Sequence, residues 1–205
     1  MRRGIGVAAA LLSVTLAGAA CEGAPPSPAP VTAARTAFPD TYITAYTWYD
    51  NTPAGSPDIS HPVLHKKAGG TGSYADPVTI AVGHSLATGQ DVLDFPAGTR
   101  IYLPDVRRYF IVEDTCGDGP TPETGPCHAD AEKHRGASTW LDIWIGGEGE
   151  SESFASDCTE QVTGVRAAVF NPADNYVVAS GEGVIHDGIC DSGYGNQLVT
   201  APSGP

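Results

Sequence analysis

Three carboxylates stand where acid–base chemistry would need them: Asp142, Asp50 and Asp114. Asp142 lies inside the run Thr139-Trp140-Leu141-Asp142-Ile143-Trp144-Ile145, whose apolar residues fill both parities before Gly146-Gly147 closes it. Such a run reads as a strand covered on both faces and ended by a tight turn. An Asp within it is costly to desolvate unless it is paired, hydrogen-bonded or set at the lip of a cleft. Asp50 ends Tyr46-Thr47-Trp48-Tyr49-Asp50, and Asp114 follows Ile111-Val112-Glu113 just before Cys116. A solvent-facing carboxylate at a strand end is the competing reading for each. Cleavage of a glycosidic bond with inversion needs one protonated carboxyl and one ionised carboxylate. These stand roughly 6.5–9.5 Å apart, so that water fits between them. Burial beside Trp140 and Trp144, together with the charge of Asp114, predicts a raised pKa for Asp142. A more solvated Asp50 suits the base. Tyr46, Trp48, Tyr49 and Tyr109 offer flat faces on which sugar rings stack, with packing in the core or at a barrel lip as the alternative.

The elements that must position these groups are short. β-type runs cover 41–49, 77–82, 99–104, 108–112, 139–145, 165–170 and 176–179, separated by Gly, Pro, Asp and Asn. Helical periodicity is absent over any ten residues, save a short piece near 129–134. Many short strands between turn signals predict an all-β barrel or sandwich.

Residues 1–20 read as a secretory signal peptide: Arg2-Arg3, then an uncharged small-residue stretch ending Ala17-Gly18-Ala19. Residues 21–37 are a Pro/Ala-rich tether and 38–200 the domain. Cys21 follows directly and resembles the acylated Cys of a bacterial lipoprotein, although Leu16 lies five residues before it rather than three. The protein is therefore expected to be exported, with membrane attachment only if Cys21 is lipidated. The other four cysteines are even in number, and an oxidising compartment favours disulfides. Cys116–Cys127 is the preferred pair because it staples a Gly/Pro loop, and Cys158–Cys190 follows by elimination. Zinc ligation is the alternative, without a C-x-x-C to support it. Removing Arg2 and Arg3 takes the formal charge from −13 to −15, which argues against nucleic acid or an anionic membrane.

Gly98-Thr99 to Pro104, Val112-Glu113-Asp114-Thr115-Cys116 and Leu141-Asp142-Ile143, with Thr47-Trp48-Tyr49 before them, carry a family likeness. In this order they resemble the double-psi β-barrel superfamily of expansins, rare-lipoprotein-A proteins and family-45 glycoside hydrolases. The likeness covers roughly residues 41–180. It implies an all-β, six-stranded double-psi β-barrel with long disulfide-pinned loops. It implies Asp142 as general acid, Asp50 as general base and Asp114 as the supporting groove carboxylate. Tyr46, Thr47, Trp48, Tyr49, Tyr109 and Trp140 would bind substrate. Trp140 replaces the His that the family places two residues before the acid. The function implied is an inverting hydrolase of a β-1,4-linked polysaccharide, peptidoglycan or cellulose-like, working as a monomer without cofactor or metal. A non-hydrolytic expansin-like wall loosener and a barwin-like binding module held by Cys21 are the alternatives.

His61 and His65 are spaced for a metal but interrupted by Pro62. His128 and His134 read as surface residues. His186-Asp187 with Cys190-Asp191 reads as a disulfide-pinned loop. Glu148, Glu150 and Glu152 read as a solvated loop.

Overall fold

Six strands close on one another in the order β1-β7-β2-β6-β5-β8, with β8 returning to β1. The computed structural model describes residues 36–201. The expected signal segment, Cys21 and all but the last two residues of the expected tether lie outside them. The strands are β1 (Thr36–Tyr46), β2 (Val78–Val82), β3 (His84–Ser85), β4 (Val92–Leu93), β5 (Arg100–Leu103), β6 (Arg108–Thr115), β7 (Thr139–Trp144), β8 (Gly164–Phe170), β9 (Ile185–His186) and β10 (Ile189–Cys190). Two helices interrupt them, α1 (Pro126–Ala129) and α2 (Glu152–Val162). The fold is thus mostly β with a closed six-stranded barrel, as the spacing of β-type runs predicts. Closure leaves the barrel no free sheet edge. β1–β7 and β2–β6 pair in parallel, and the other barrel contacts are antiparallel.

Strand alternation explains the core. Leu141 and Ile143 are buried completely, as are Ile80, Val82, Ile101, Phe110 and Val112. Trp140, Asp142 and Trp144 occupy the other parity of β7, in register with Tyr42, Thr44 and Tyr46 of β1. A second cluster of Tyr102, Tyr109, Val169 and Tyr176 packs apart from the main core.

Both disulfides are the expected ones. Cys116–Cys127 spans 11 residues with Cα atoms 5.9 Å apart, and Cys158–Cys190 spans 32 residues at 5.6 Å.

Two expectations change. Of Glu148, Glu150 and Glu152 only Glu152 is not in the expected loop: it opens the first turn of α2, which Ser151 caps by accepting from the Phe154 N–H at 3.2 Å. Only Ala155, Cys158 and Val162 are buried, a stripe too narrow for the hydrophobic pattern to announce. Residues 176–179 are not a strand; Tyr176 makes an isolated bridge to Thr200. Arg108, at the start of β6, is a fully buried cation. Its Nε donates to Gly183 O at 2.9 Å, and its Nη2 donates to Ser180 O at 2.8 Å and Asp191 Oδ2 at 2.9 Å. Gly72 (φ +88°) makes room for it, since a Cβ there would lie 2.1 Å from Arg108 Cδ.

Candidate active-site cavity

A cavity of about 420 Å³ opens where the ends of β1, β6 and β7 meet the loops that follow β1 and β6. Asp142, Asp50 and Asp114 all line it, together with Tyr46 and Ala81. Asp58 and Asp118 line it too, and Thr52 Oγ1 donates to Asp118 Oδ2 at 3.0 Å. The volume is that of an ordinary small-molecule cleft.

Asp142 is partly buried on β7. Burial pushes its pKa up to about 7 against the lowering effect of the Thr44 hydrogen bond, and the charges of Asp50 and Asp114 push the same way as burial. Thr44 Oγ1 donates to Asp142 Oδ1 at 2.6 Å, while Trp140 Nε1 donates to Thr44 Oγ1 at 2.8 Å. The indole occupies the hydroxyl oxygen as acceptor, so the hydroxyl proton points to Asp142. Trp140 thus orients the Thr44 hydroxyl. This is a positioning role, and Trp140 does not line the cavity.

Asp114 is held from two sides. Tyr46 Oη donates to Oδ2 at 2.9 Å, and the N–H and hydroxyl of Ser60 donate to Oδ1 at 3.0 and 2.9 Å. Burial first, then the Asp114 carboxylate, holds the Tyr46 phenol well above its usual range. Ser60 Oγ also meets His61 Nδ1 at 2.9 Å. His61 Nε2 lies 3.7 Å from Asp91, whose other oxygen meets His84 Nδ1 at 2.6 Å. Ser60, Asp58, Asp118 and this His–Asp chain were not legible beforehand, because their loops carry no periodicity.

Asp50 is exposed at the cavity mouth. Its Oδ1 accepts from the N–H and the hydroxyl of Thr47, both at 2.6 Å, reaching back three residues as in a capping box, and this aims the carboxylate. Thr47 is itself buried and positions Asp50.

The aromatic residues behave differently from the sugar-stacking expectation. Only Tyr46 lines the cavity, and it is buried with its ring edge against Trp144 at 5.2 Å. Trp48 packs against the core. Tyr49 lines a smaller neighbouring hollow with Asp50 and donates to Glu150 O. Tyr109 is fully buried; its hydroxyl donates to Ala173 O at 2.7 Å and accepts from Tyr176 N–H at 2.8 Å. It therefore cannot offer a face to a ligand.

Glu113 is fully buried beside these groups and was not singled out by its type. Its Oε1 accepts from the N–H groups of Val63, Leu64 and His65, and Oε2 meets His65 Nδ1 at 2.7 Å. It clips the 60–65 loop over the cavity edge. His61 and His65 thus have separate partners, and no group of three or more potential metal ligands occurs among the described residues. His128 pairs with Asp94, and His186 lies beside Asp187 and Asp191.

A family model described as the DDB_G0273701 N-terminal domain matches residues 38–191, about three quarters of the chain. The chain belongs to that family. The span of the DDB_G0273701 N-terminal domain takes in both disulfides and every residue that lines the cavity. A relative from Dictyostelium discoideum, named "Uncharacterized protein DDB_G0273701/DDB_G0273221", is 35% identical over 91 residues. Those residues are 43% of this chain and 36% of the relative, so the match spans about a third of the relative's length. No solved structure matches the chain.

Proposed function

We propose that this domain is an exported hydrolase of a β-1,4-linked cell-wall glycan, acting with inversion. One observation carries the reading: Asp142, Asp50 and Asp114 share one open cavity, and Asp142 keeps its proton up to about pH 7. A carboxyl still protonated near neutrality is what a general acid requires, and a neighbouring solvated carboxylate is what water activation requires.

In this mechanism Thr44 occupies Oδ1 of Asp142, leaving Oδ2 to carry the proton. Oδ2 protonates the glycosidic oxygen as that bond breaks. Asp50, aimed by Thr47, takes a proton from the water attacking the anomeric carbon from the opposite side. Asp114 holds the pKa of Asp142 up and is kept in place by Tyr46 and Ser60. The parallel β1–β7 and β2–β6 pairs support the finer assignment to the double-psi barrel architecture. The two disulfides support export to an oxidising compartment. The expansin-like alternative draws on one feature, the scarcity of aromatic faces lining the cavity.

Release of reducing ends from peptidoglycan, cellulose and chitin by the purified protein tests the reading. Hydrolysis of at least one, lost in Asp142→Asn, is the expected result. Undiminished activity in Asp142→Asn removes the mechanism, and glycan binding without any release favours the expansin-like reading.

A further inference from the structure

A second cleft, of about 400 Å³, opens between residues 133–135 and the start of β8, lined by Tyr42, Lys133, His134, Arg135 and residues 163–166. No carboxylate lines it. This is unusual for a chain with a formal charge of −13. Of its eleven Lys and Arg residues, Arg2, Arg3 and Arg35 lie outside the described region, and three of the other eight line this one cleft.

The cleft has a built floor. The His134 ring stacks on Tyr42 with centroids 3.6 Å apart and planes 5° apart. Trp140 sets its edge against both, at 4.7 and 4.8 Å. Arg166 folds over Gly164, where a Cβ would come within 2.7 Å of its Nη1, and Arg166 Nε reaches Asp105 Oδ2 at 3.0 Å. Lys133 Nζ meets Asp130 Oδ1 at 2.7 Å. Among the described residues Arg135 makes no ion pair, and it stands exposed at the rim. With Asp130 and Asp105 each offsetting one cation, the cleft keeps an excess of about one positive charge. That suits a carboxylate better than a phosphate dianion.

Its place relative to the acid is fixed by strand register. Tyr42 and Thr44 are two residues apart on the same face of β1, opposite Trp140 and Asp142. The separation along the strand is therefore about 6.6 Å. Trp140 touches both stations, packing on Tyr42 and hydrogen-bonding Thr44.

We propose that this cleft binds the carboxylate of an acidic sugar, so that the glycan acted on at Asp142 is an anionic oligosaccharide. The proposal rests on the glycan-active reading above for its substrate, but binding tests it independently of catalysis. Titration calorimetry of the full protein with the β-1,4-linked tetramer of glucuronic acid and with neutral cellotetraose, which lacks only its carboxylates, is the measurement. Wild type should bind the tetraglucuronate more tightly, despite its own net negative charge, and added salt should weaken that preference. The double variant Lys133→Glu/Arg135→Glu changes two rim side chains and should lose about tenfold or more for the tetraglucuronate while cellotetraose binding stays unchanged. Equal affinities in wild type, or a loss shared by both sugars, overturns the proposal. Inorganic phosphate alone binding this cleft more tightly than the tetraglucuronate overturns the carboxylate assignment. Retained selectivity in a protein that cleaves no glycan would fault the catalytic reading and leave this site standing.

Discussion

Asp142 of β7 and Asp114 of β6 are cross-strand partners of the same residue, Ala81 of β2, from its two sides. Two inter-strand steps put their backbones roughly 10 Å apart, with only a methyl group between them. The β2–β6 register slips between Ile80 and Ala81, so Ile80 pairs with Val112 but Ala81 pairs with Asp114. Glu113 is the extra residue of this bulge. Without it Glu113 would stand opposite Ala81, and Asp114 would turn away from the cavity.

Activity should follow the charge of Asp142. Because the acid must be protonated, turnover should fall as pH rises through about 7. Asp142→Asn should lower turnover by about 10²–10⁴-fold. Asp50→Asn should cost comparably if water is activated, and little in a wall loosener. A pH–rate profile flat across neutrality would sink the assignment.

Thr44→Val removes the hydrogen bond that lowers the Asp142 pKa, while burial and the neighbouring carboxylates stay. The basic limb of the profile should therefore move to higher pH. Trp140→Phe should move it the same way, by freeing the Thr44 hydroxyl to turn. A limb that stays put, with only the rate altered, would mean Thr44 does not tune the acid.

Arg108→Ala should destabilise by about 3–5 kcal/mol, because it leaves Asp191 and the carbonyl groups of Gly183 and Ser180 short of a buried donor. Urea denaturation reads this directly. A loss below about 1 kcal/mol would show that water replaces the guanidinium.

The His65 clip gives stability a pH window. Burial alone would lower the His65 pKa, but hydrogen bonds to Asp76 and Glu113 outweigh it and raise it. Burial alone would raise Glu113, but His65 and the Leu64 N–H hold it below its usual value. The His65 contribution is complete below its unfolded pKa of about 6.5 and is lost as pH rises through the raised folded value. That of Glu113 is complete above about 4.3 and is lost as pH falls through the depressed value. His65→Gln should therefore cost more stability at pH 5.5 than at pH 8.5. Equal costs at both would contradict the linkage.

Thr41→Val should raise stability by about 1 kcal/mol. Among the described residues, the Thr41 hydroxyl is the buried side-chain group without a hydrogen-bond partner, and Val keeps its shape. A lower urea midpoint in the variant would mean the hydroxyl is satisfied.

The parts of this protein legible in its residues are those governed by short-range rules. Period-two runs bounded by Gly, Pro and Asp announced most of the barrel strands, because alternation is a local property of extended chain. Even cysteine parity and a loop in need of a staple were enough to pair Cys116 with Cys127 and leave Cys158 for Cys190. Three strand-end carboxylates stood out because a carboxylate in an apolar run is costly. α2 was hidden because its buried stripe is three residues wide within a polar stretch. Only the closed sheet decided which faces those residues present. Barrel closure buried Tyr109 and Arg108 and put Trp140 behind Thr44 rather than against a ligand. A one-residue bulge at Glu113 chose Asp114 for the cavity, and side-chain direction in a strand reverses with every residue. No local pattern shows where a partner strand will slip.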